Sequence, residues 1–289
     1  MALPAHQSPD NGIGVVLMEN MPHCETLLLE KQGPALHVTI NRPDVRNAMS
    51  LQMVAELSTV FSLVAGNNSI RAVVLRGAGG HFCAGGDIKD MAGARGQKPA
   101  EGEEDPFYRL NRAFGQMIQQ VNESSKVVIA VIEGAVMGGG FGLACVSDVA
   151  IAGPTAKFGM PETTLGVIPA QIAPFVVERI GLTQARRLAL LGLRVDANEA
   201  CRLGIVHQVA ESEVEIDELL GEAVDRVRQC APNATAETKA LLHRVGHESM
   251  SGVLDSAAEK FAQAIRSNEG SEGTLAFMQK RPASWAASE

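Results

Sequence analysis

The sequence predicts an α/β core followed by a helical region, and three observations carry that expectation. Short β-rich runs alternate with helical stretches over the first half of the chain. Two of those runs, AVVLRG at 72–77 and VVIAVIEG at 127–134, are apolar nearly throughout, as strands covered on both faces are. After about Pro169 the three- and four-residue helical spacing takes over. The alternation points to an α/β core and argues against an antiparallel sandwich or barrel.

Taken in order, strands are expected at Thr26–Glu30, Ala35–Ile40, Ala72–Gly77, Val127–Glu133 and Val149–Gly153, with helices at Leu51–Val64 and Phe107–Val121 between them. Later helices are expected at Ile172–Ile180, Thr183–Leu191, Asn198–Leu203, Val214–Arg228, Thr235–Val245 and Gly252–Arg266. Thr183 and Asn198 suit N-caps, and Gly181 and Gly192 suit stops. Gly93–Asp105, rich in glycine and charge, reads as a surface loop. Residues 1–24 read as a flexible extension, 25–212 as the core and 213–289 as a helical region. Met1–Pro22 lacks a basic stretch followed by an apolar one, so it does not read as a signal peptide.

Bulk properties narrow the function. The chain of 289 residues carries a formal charge of −8 and only one Trp, one Tyr and nine Phe, which argues against nucleic-acid binding. No apolar run reaches the ~20 residues that span a bilayer. The five cysteines lack CxxC spacing and read as free thiols in a reducing compartment, with the cytoplasm the expected location. The seven histidines form no metal-binding motif, and His243 and His247, four apart, read as surface residues. No metal and no permanently bound cofactor are expected.

Two glycine clusters each follow a strand: GGHFCAGGDIKDM at 79–91 and GAVMGGGFGL at 134–143. Glycine after a strand permits unusual φ values and close backbone approach to a ligand. A helix starting within Gly138–Gly140 would present N–H groups without intrahelical acceptors, together with the positive end of its dipole, to an oxygen gaining negative charge. Taken alone, either cluster reads as a tight turn. Neither is a P-loop nor a dinucleotide fingerprint.

With their flanks and in this order, HFCAGGDIKDM and EGAVMGGGFGLACVSDVAIA resemble the two signature segments of the enoyl-CoA hydratase/isomerase, or crotonase, superfamily. NRPDVRNAMS, RAVVLRG, KFGMPETTLGVIP, EACRLGIVHQV and EGSEGTLAFMQKRPASW extend the resemblance over about residues 25–285. It implies a crotonase fold: a core of repeated ββα units wound as a spiral, followed by helices that pack subunits into trimers or paired trimers. It also implies an acyl-CoA substrate whose thioester oxygen is held by the N–H groups of Gly86 and Gly139. Arg46, Ala48, Ala84, Gly86, Asp87, Ile88 and Lys89 would flank the coenzyme A, with Lys89 either a phosphate partner or a solvated lysine. Phe277 and Lys280 would reach the coenzyme A of a neighbouring subunit. Glu162 would be the acid/base; outside this motif it would read as a cap or surface charge.

One position departs from the family pattern. Gly142 stands where a second glutamate is usual. Its expected consequence is extra room beside the reacting carbons and less repulsion of an anionic acyl chain. Together with PAQIAPFVVERIG and GTLAFMQKR, this resembles hydratases of 3-branched glutaconyl-CoA thioesters, with 3-isohexenylglutaconyl-CoA of acyclic terpene breakdown favoured over 3-methylglutaconyl-CoA. Phe141, Ile172 and Phe175 either line that chain or belong to the core. An enoyl-CoA isomerase or decarboxylase, and an RNA-binding relative of the same fold, are the competing readings.

Overall fold

A computed structural model describes residues 21–96 and 102–287. Its centre is a six-stranded sheet of β1 (Leu27–Gln32), β2 (Ala35–Ile40), β3 (Ala72–Gly77), β4 (Val127–Ile132), β6 (Val149–Ala152) and β9 (Gln208–Val209), in the order β1-β2-β3-β4-β6-β9. In this sheet only β1 is antiparallel to its neighbour; β2, β3, β4, β6 and β9 pair in parallel. A second sheet joins β5 (Ala135–Met137), β7 (Lys157–Gly159) and β8 (Arg194–Asp196). The chain thus passes between two sheets as it advances, and the helices fill the space beside them.

The apolar runs AVVLRG and VVIAVIEG are β3 and β4, and both of their faces are covered. Val73, Leu75, Val128 and Ala130 face one cluster with α1 (Leu51–Ala65), α3 (Pro106–Asn122) and α4 (Gly139–Val146). Val74, Ile129 and Val131 face Ile216 and Leu220 of α7 (Glu213–Gln229). The expected boundary at 212/213 therefore coincides with the start of α7, but this helix seals the back of the main sheet. It belongs to the core packing, and α8 (Pro232–Arg244) is the first helix beyond it.

Several local expectations are corrected. Gly93–Asp105 is not all loop: α2 runs Ile88–Arg95, while residues 97–101 lie outside the described residues, as do residues 1–20 of the expected extension. The cap of α6 (Ala197–Leu203) is Asp196, whose carboxylate accepts the Glu199 N–H at 2.9 Å, and not Asn198. The two helices expected either side of Gly181 are present as the segments of α5 (Ala173–Leu191), which breaks there at φ 74°, ψ 157°. After α9 (Met250–Arg266) an unexpected α10 (Asn268–Met278) is capped by Ser267. Its glycines, Gly270 and Gly273, weaken the helical signal in the sequence.

Candidate active site

The two glycine clusters are welded together by backbone pairing. Cys83 bridges to β5, its N–H donating to Ala135 O at 2.9 Å and its carbonyl accepting the Met137 N–H at 2.9 Å. On the other side, the Met49 N–H donates to Gly85 O at 2.8 Å and the Asp87 N–H to Met49 O at 2.9 Å. These bonds clamp the residues either side of Gly86 and leave its own N–H with no acceptor among the described residues. Gly85 takes φ 104°, a turn that a side chain would resist.

The second donor arises from helix geometry. Gly138 (φ 51°, ψ −114°) caps α4, so Gly139 is the first helical residue and its N–H has no intrahelical acceptor. Gly140 explains how the two donors reach one site. A Cβ there would stand 2.7 Å from Cys83 Cβ and 2.8 Å from Cys83 O, so only glycine lets α4 lie directly against the first loop.

Gly86, Gly139 and Glu162 line the same cavity, of about 670 Å³. Apolar side chains dominate its wall, among them Met49, Val54, Met91, Phe114, Ile168 and Ile172. A pocket of this size suits a small-molecule ligand. Among the described residues three carboxylates line it, and two are engaged. Asp87 pairs with Arg42 at 2.7 Å and accepts the Lys89 N–H at 2.8 Å; Asp90 accepts the Leu51 N–H at 2.7 Å, at the start of α1. The third is Glu162, at the head of a short 3-10 turn (Glu162–Leu165) that follows Pro161. Its Oε2 is buried with no hydrogen-bond partner among the described residues. Its Oε1 packs on Gly138, where a Cβ would be 3.0 Å away.

Burial pushes the Glu162 carboxyl above the usual carboxylate range, against a smaller opposing effect of its own backbone N–H. Burial alone would also raise Asp87, but hydrogen bonds from Arg42 and the Lys89 N–H outweigh it and hold Asp87 below that range. One cavity therefore holds a carboxyl ready to exchange protons nearer neutrality and another locked as an anion.

Ala84 donates its N–H to Arg46 O at 3.0 Å, tying Arg46 to the first loop, and Ala48 O accepts from Arg42 Nη1, whose Nη2 pairs with Asp87 of that loop. Arg46 is exposed with φ 50°, and Ile88 and Lys89 are exposed beside the cavity. Phe277, on α10, and Lys280, just beyond it, are exposed and line no part of the cavity. Asn47, not singled out in the sequence, secures this corner: its side chain accepts the Arg42 N–H and donates to Ala78 O and His81 O at 2.8 and 2.6 Å.

The expected room at Gly142 is absent. A Cβ there would overlap Ile172 Cγ2 and approach Ile118 Cδ1 to 2.7 Å, and Gly142 does not line the cavity. Two isoleucines occupy the place of a carboxylate. Phe141 is fully buried, edge-on to Phe158 with ring centroids 6.2 Å apart, so it is core. Phe175 packs against the main cluster away from the cavity, whereas Ile172 does line it.

Residues 30–288 match the sequence family described as enoyl-CoA hydratase/isomerase. A probable enoyl-CoA hydratase of Rhizobium meliloti (strain 1021) is 33% identical over 260 residues, 90% of this chain and 97% of that protein. The crystal structure of an enoyl-CoA hydratase/isomerase from Marinobacter aquaeolei is 81% identical, with TM-score 0.90 over 91% of this chain and all of that one. Pseudomonas aeruginosa AtuE is 56% identical, with TM-score 0.87 and the same coverage. Among the described residues no helix is long and apolar enough to cross a membrane. The chain belongs to the enoyl-CoA hydratase/isomerase family, and it is an enzyme of the enoyl-CoA hydratase type, acting on a CoA thioester.

Proposed function

We propose that the protein adds water to the double bond of a 3-branched glutaconyl-CoA thioester, with 3-isohexenylglutaconyl-CoA the preferred substrate and 3-methylglutaconyl-CoA the smaller alternative. The observation that carries the mechanism is a cavity carboxylate, Glu162, whose Oε2 has no partner among the described residues, set against Gly138 beside the Gly86 and Gly139 N–H groups. Glu162 takes a proton from water as the oxygen attacks C3. The electron pair moves through C2 onto the thioester oxygen, where Gly86 and Gly139 donate to it. Glu162 then returns its proton to C2, so one carboxyl serves as both base and acid. Asp87 and Asp90 are committed elsewhere, and isoleucines replace the second carboxylate.

The apolar lining and the volume of about 670 Å³ support a branched acyl chain with a hydrocarbon tail. Coenzyme A arrives with the substrate, along the Arg46–Ala48 and Ala84–Lys89 segments. The exposed apolar side chains Leu254, Phe261, Phe277 and Met278 of α9 and α10 support assembly into trimers or paired trimers, with Phe277 and Lys280 serving a neighbouring subunit. Five free cysteines suit a reducing location such as the cytoplasm.

Incubation with crotonyl-, 3-methylglutaconyl- and 3-isohexenylglutaconyl-CoA, followed by mass analysis, tests the reading. The branched substrates should gain one water, and Glu162→Gln should lower kcat by about 10²–10⁴-fold. A product with a moved double bond would make the enzyme an isomerase. A strong preference for crotonyl-CoA would end the branched-substrate reading, and full activity of Glu162→Gln would end the mechanism.

A further inference from the structure

Next to Ile172, where α3 meets the segment leading into α5, the apolar cavity wall is interrupted by a chain of polar side chains. Arg112 Nη1 donates to Gln171 Oε1 at 3.4 Å, and Gln171 Nε2 donates to Asn111 Oδ1 at 2.8 Å. Gln171 and Asn111 line the cavity; Arg112 stands behind them, half-buried. Among the described residues Arg112 has no ion-pair partner, in a chain of net charge −8. Guanidinium carries donors and no acceptor, so it fixes the sense of both amides. Gln171 must turn its oxygen to Arg112 and its nitrogen to Asn111. Asn111 is then left with its Nδ2 hydrogens as the free donor.

The backbone makes room for this arrangement. Gly115 lies inside α3, on the same face as Asn111 and Arg112, where glycine costs a helix about 1 kcal/mol relative to alanine. A Cβ at Gly115 would overlap Gln171 Oε1 and stand 2.7 Å from Arg112 Nη1. The glycine therefore admits the glutamine amide and the guanidinium side by side. A donor surface with a cation behind it recognises an anionic acceptor.

We propose that Asn111, Gln171 and Arg112 form a subsite for a carboxylate at the far end of the acyl chain, with Arg112 a positioning residue acting through the two amides. This deepens the hydratase reading and rests on the acyl chain entering the cavity. It differs from the role first expected for Gly142: recognition of the anion comes from an added cation, not from a missing glutamate.

The test compares 3-methylglutaconyl-CoA with 3,5-dimethylhex-2-enoyl-CoA, in which an isopropyl group replaces the carboxylate. Turnover and calorimetric binding of the two saturated counterparts are measured in wild type, Arg112→Met, Arg112→Lys and Gly115→Ala. The preference for the carboxylate chain should fall roughly tenfold in Arg112→Met, the size of one charge-assisted contact, mainly through KM. Arg112→Lys should recover part of it, and Gly115→Ala should lose it with the charge still present. Equal losses for both chains, or no preference in wild type, would overturn the proposal. So would an equal loss of affinity for free coenzyme A, which would assign Arg112 to the phosphates. If neither substrate is hydrated but the binding preference disappears in Arg112→Met, the subsite stands and the hydratase reading falls. If hydration proceeds with no binding preference, the reverse holds.

Discussion

The cavity has two walls built on opposite principles. The wall carrying Gly86 and Gly139 is made of backbone: Cys83, Gly85 and Asp87 are clamped by main-chain bonds of 2.8–2.9 Å, and Gly140 lets α4 touch Cys83 directly. The wall formed by α3 and the residues before α5 is made of side chains: Phe114, Ile172, and the chain from Arg112 through Gln171 to Asn111. The donors of a backbone wall are main-chain groups, the same whichever residue carries them, and they are displaced only by a change in how the backbone segments pack. A side-chain wall can be rebuilt one residue at a time and so sets which acyl group fits. The two meet at α4, whose first residue supplies an N–H and whose Gly142 is covered by Ile118 and Ile172.

Breaking the backbone wall should have the largest effect. Gly140→Val must push α4 away from Cys83, because the obstructing atoms are the Cys83 carbonyl and Cβ and not the end of a flexible chain. The Gly139 N–H moves with the helix. Loss of one such donor should lower kcat by about 10²–10³-fold for every acyl chain alike. Steady-state kinetics on a branched and an unbranched substrate check this; a loss confined to one of them would mean that the donors were still in place.

Gly142→Glu tests the seam between the walls. If the position held open space, a carboxylate would be tolerated and only bulky substrates would suffer. With Ile118 and Ile172 already there, the new side chain must displace two isoleucines and bury a charge without a partner. Overpacking alone costs about 1–3 kcal/mol, and the carboxylate adds to it. Thermal unfolding should show a drop in Tm of several degrees, beyond any change in substrate preference. An unchanged Tm would return Gly142 to the role first expected of it.

The two walls also differed in how far the sequence revealed them. The glycines could be found because only glycine satisfies the turn at Gly85 and the contact at Gly140, so backbone geometry left a trace in residue identity. The strands β2 and β3 were bounded correctly because both lie inside a sheet covered on two faces. Gly142 was misread for a specific reason: a missing side chain implies a space only if nothing else fills it, and Ile118 and Ile172 come from other elements. Arg112, Asn111 and Gly115 carried no signal, since a polar helix face with a glycine looks like any solvated surface. Their meaning depends on Gln171, some 60 positions on, arriving at the same place. α10 went unnoticed because its glycines lower its helical pattern.

The smallest expected effect concerns pH, and it separates two carboxyls of the cavity, Asp87 and Glu162, by sign. Asp87, on the backbone wall, has its carboxyl depressed in the folded protein, so it contributes stability above its unfolded value of about 3.9. That contribution is lost as pH falls from there through the depressed folded value. Glu162 behaves in the opposite way, because burial raises its carboxyl above an unfolded value of about 4.3. It favours the folded state only in its protonated form, and its charge costs stability once pH has risen through the folded value. Unfolding measured at neutral pH should therefore find Asp87→Asn less stable than wild type and Glu162→Gln equal or more stable, although Glu162→Gln is the variant expected to lose activity. Between pH 7 and 4 the advantage of Glu162→Gln should shrink as the wild-type carboxyl takes up its proton. The acid limb of wild-type kcat/KM should sit above the ordinary glutamate value and be absent from the residual activity of Glu162→Gln. A Glu162→Gln protein less stable than wild type at neutral pH would mean that the carboxylate is held by partners, and would remove the basis for its role as a proton carrier.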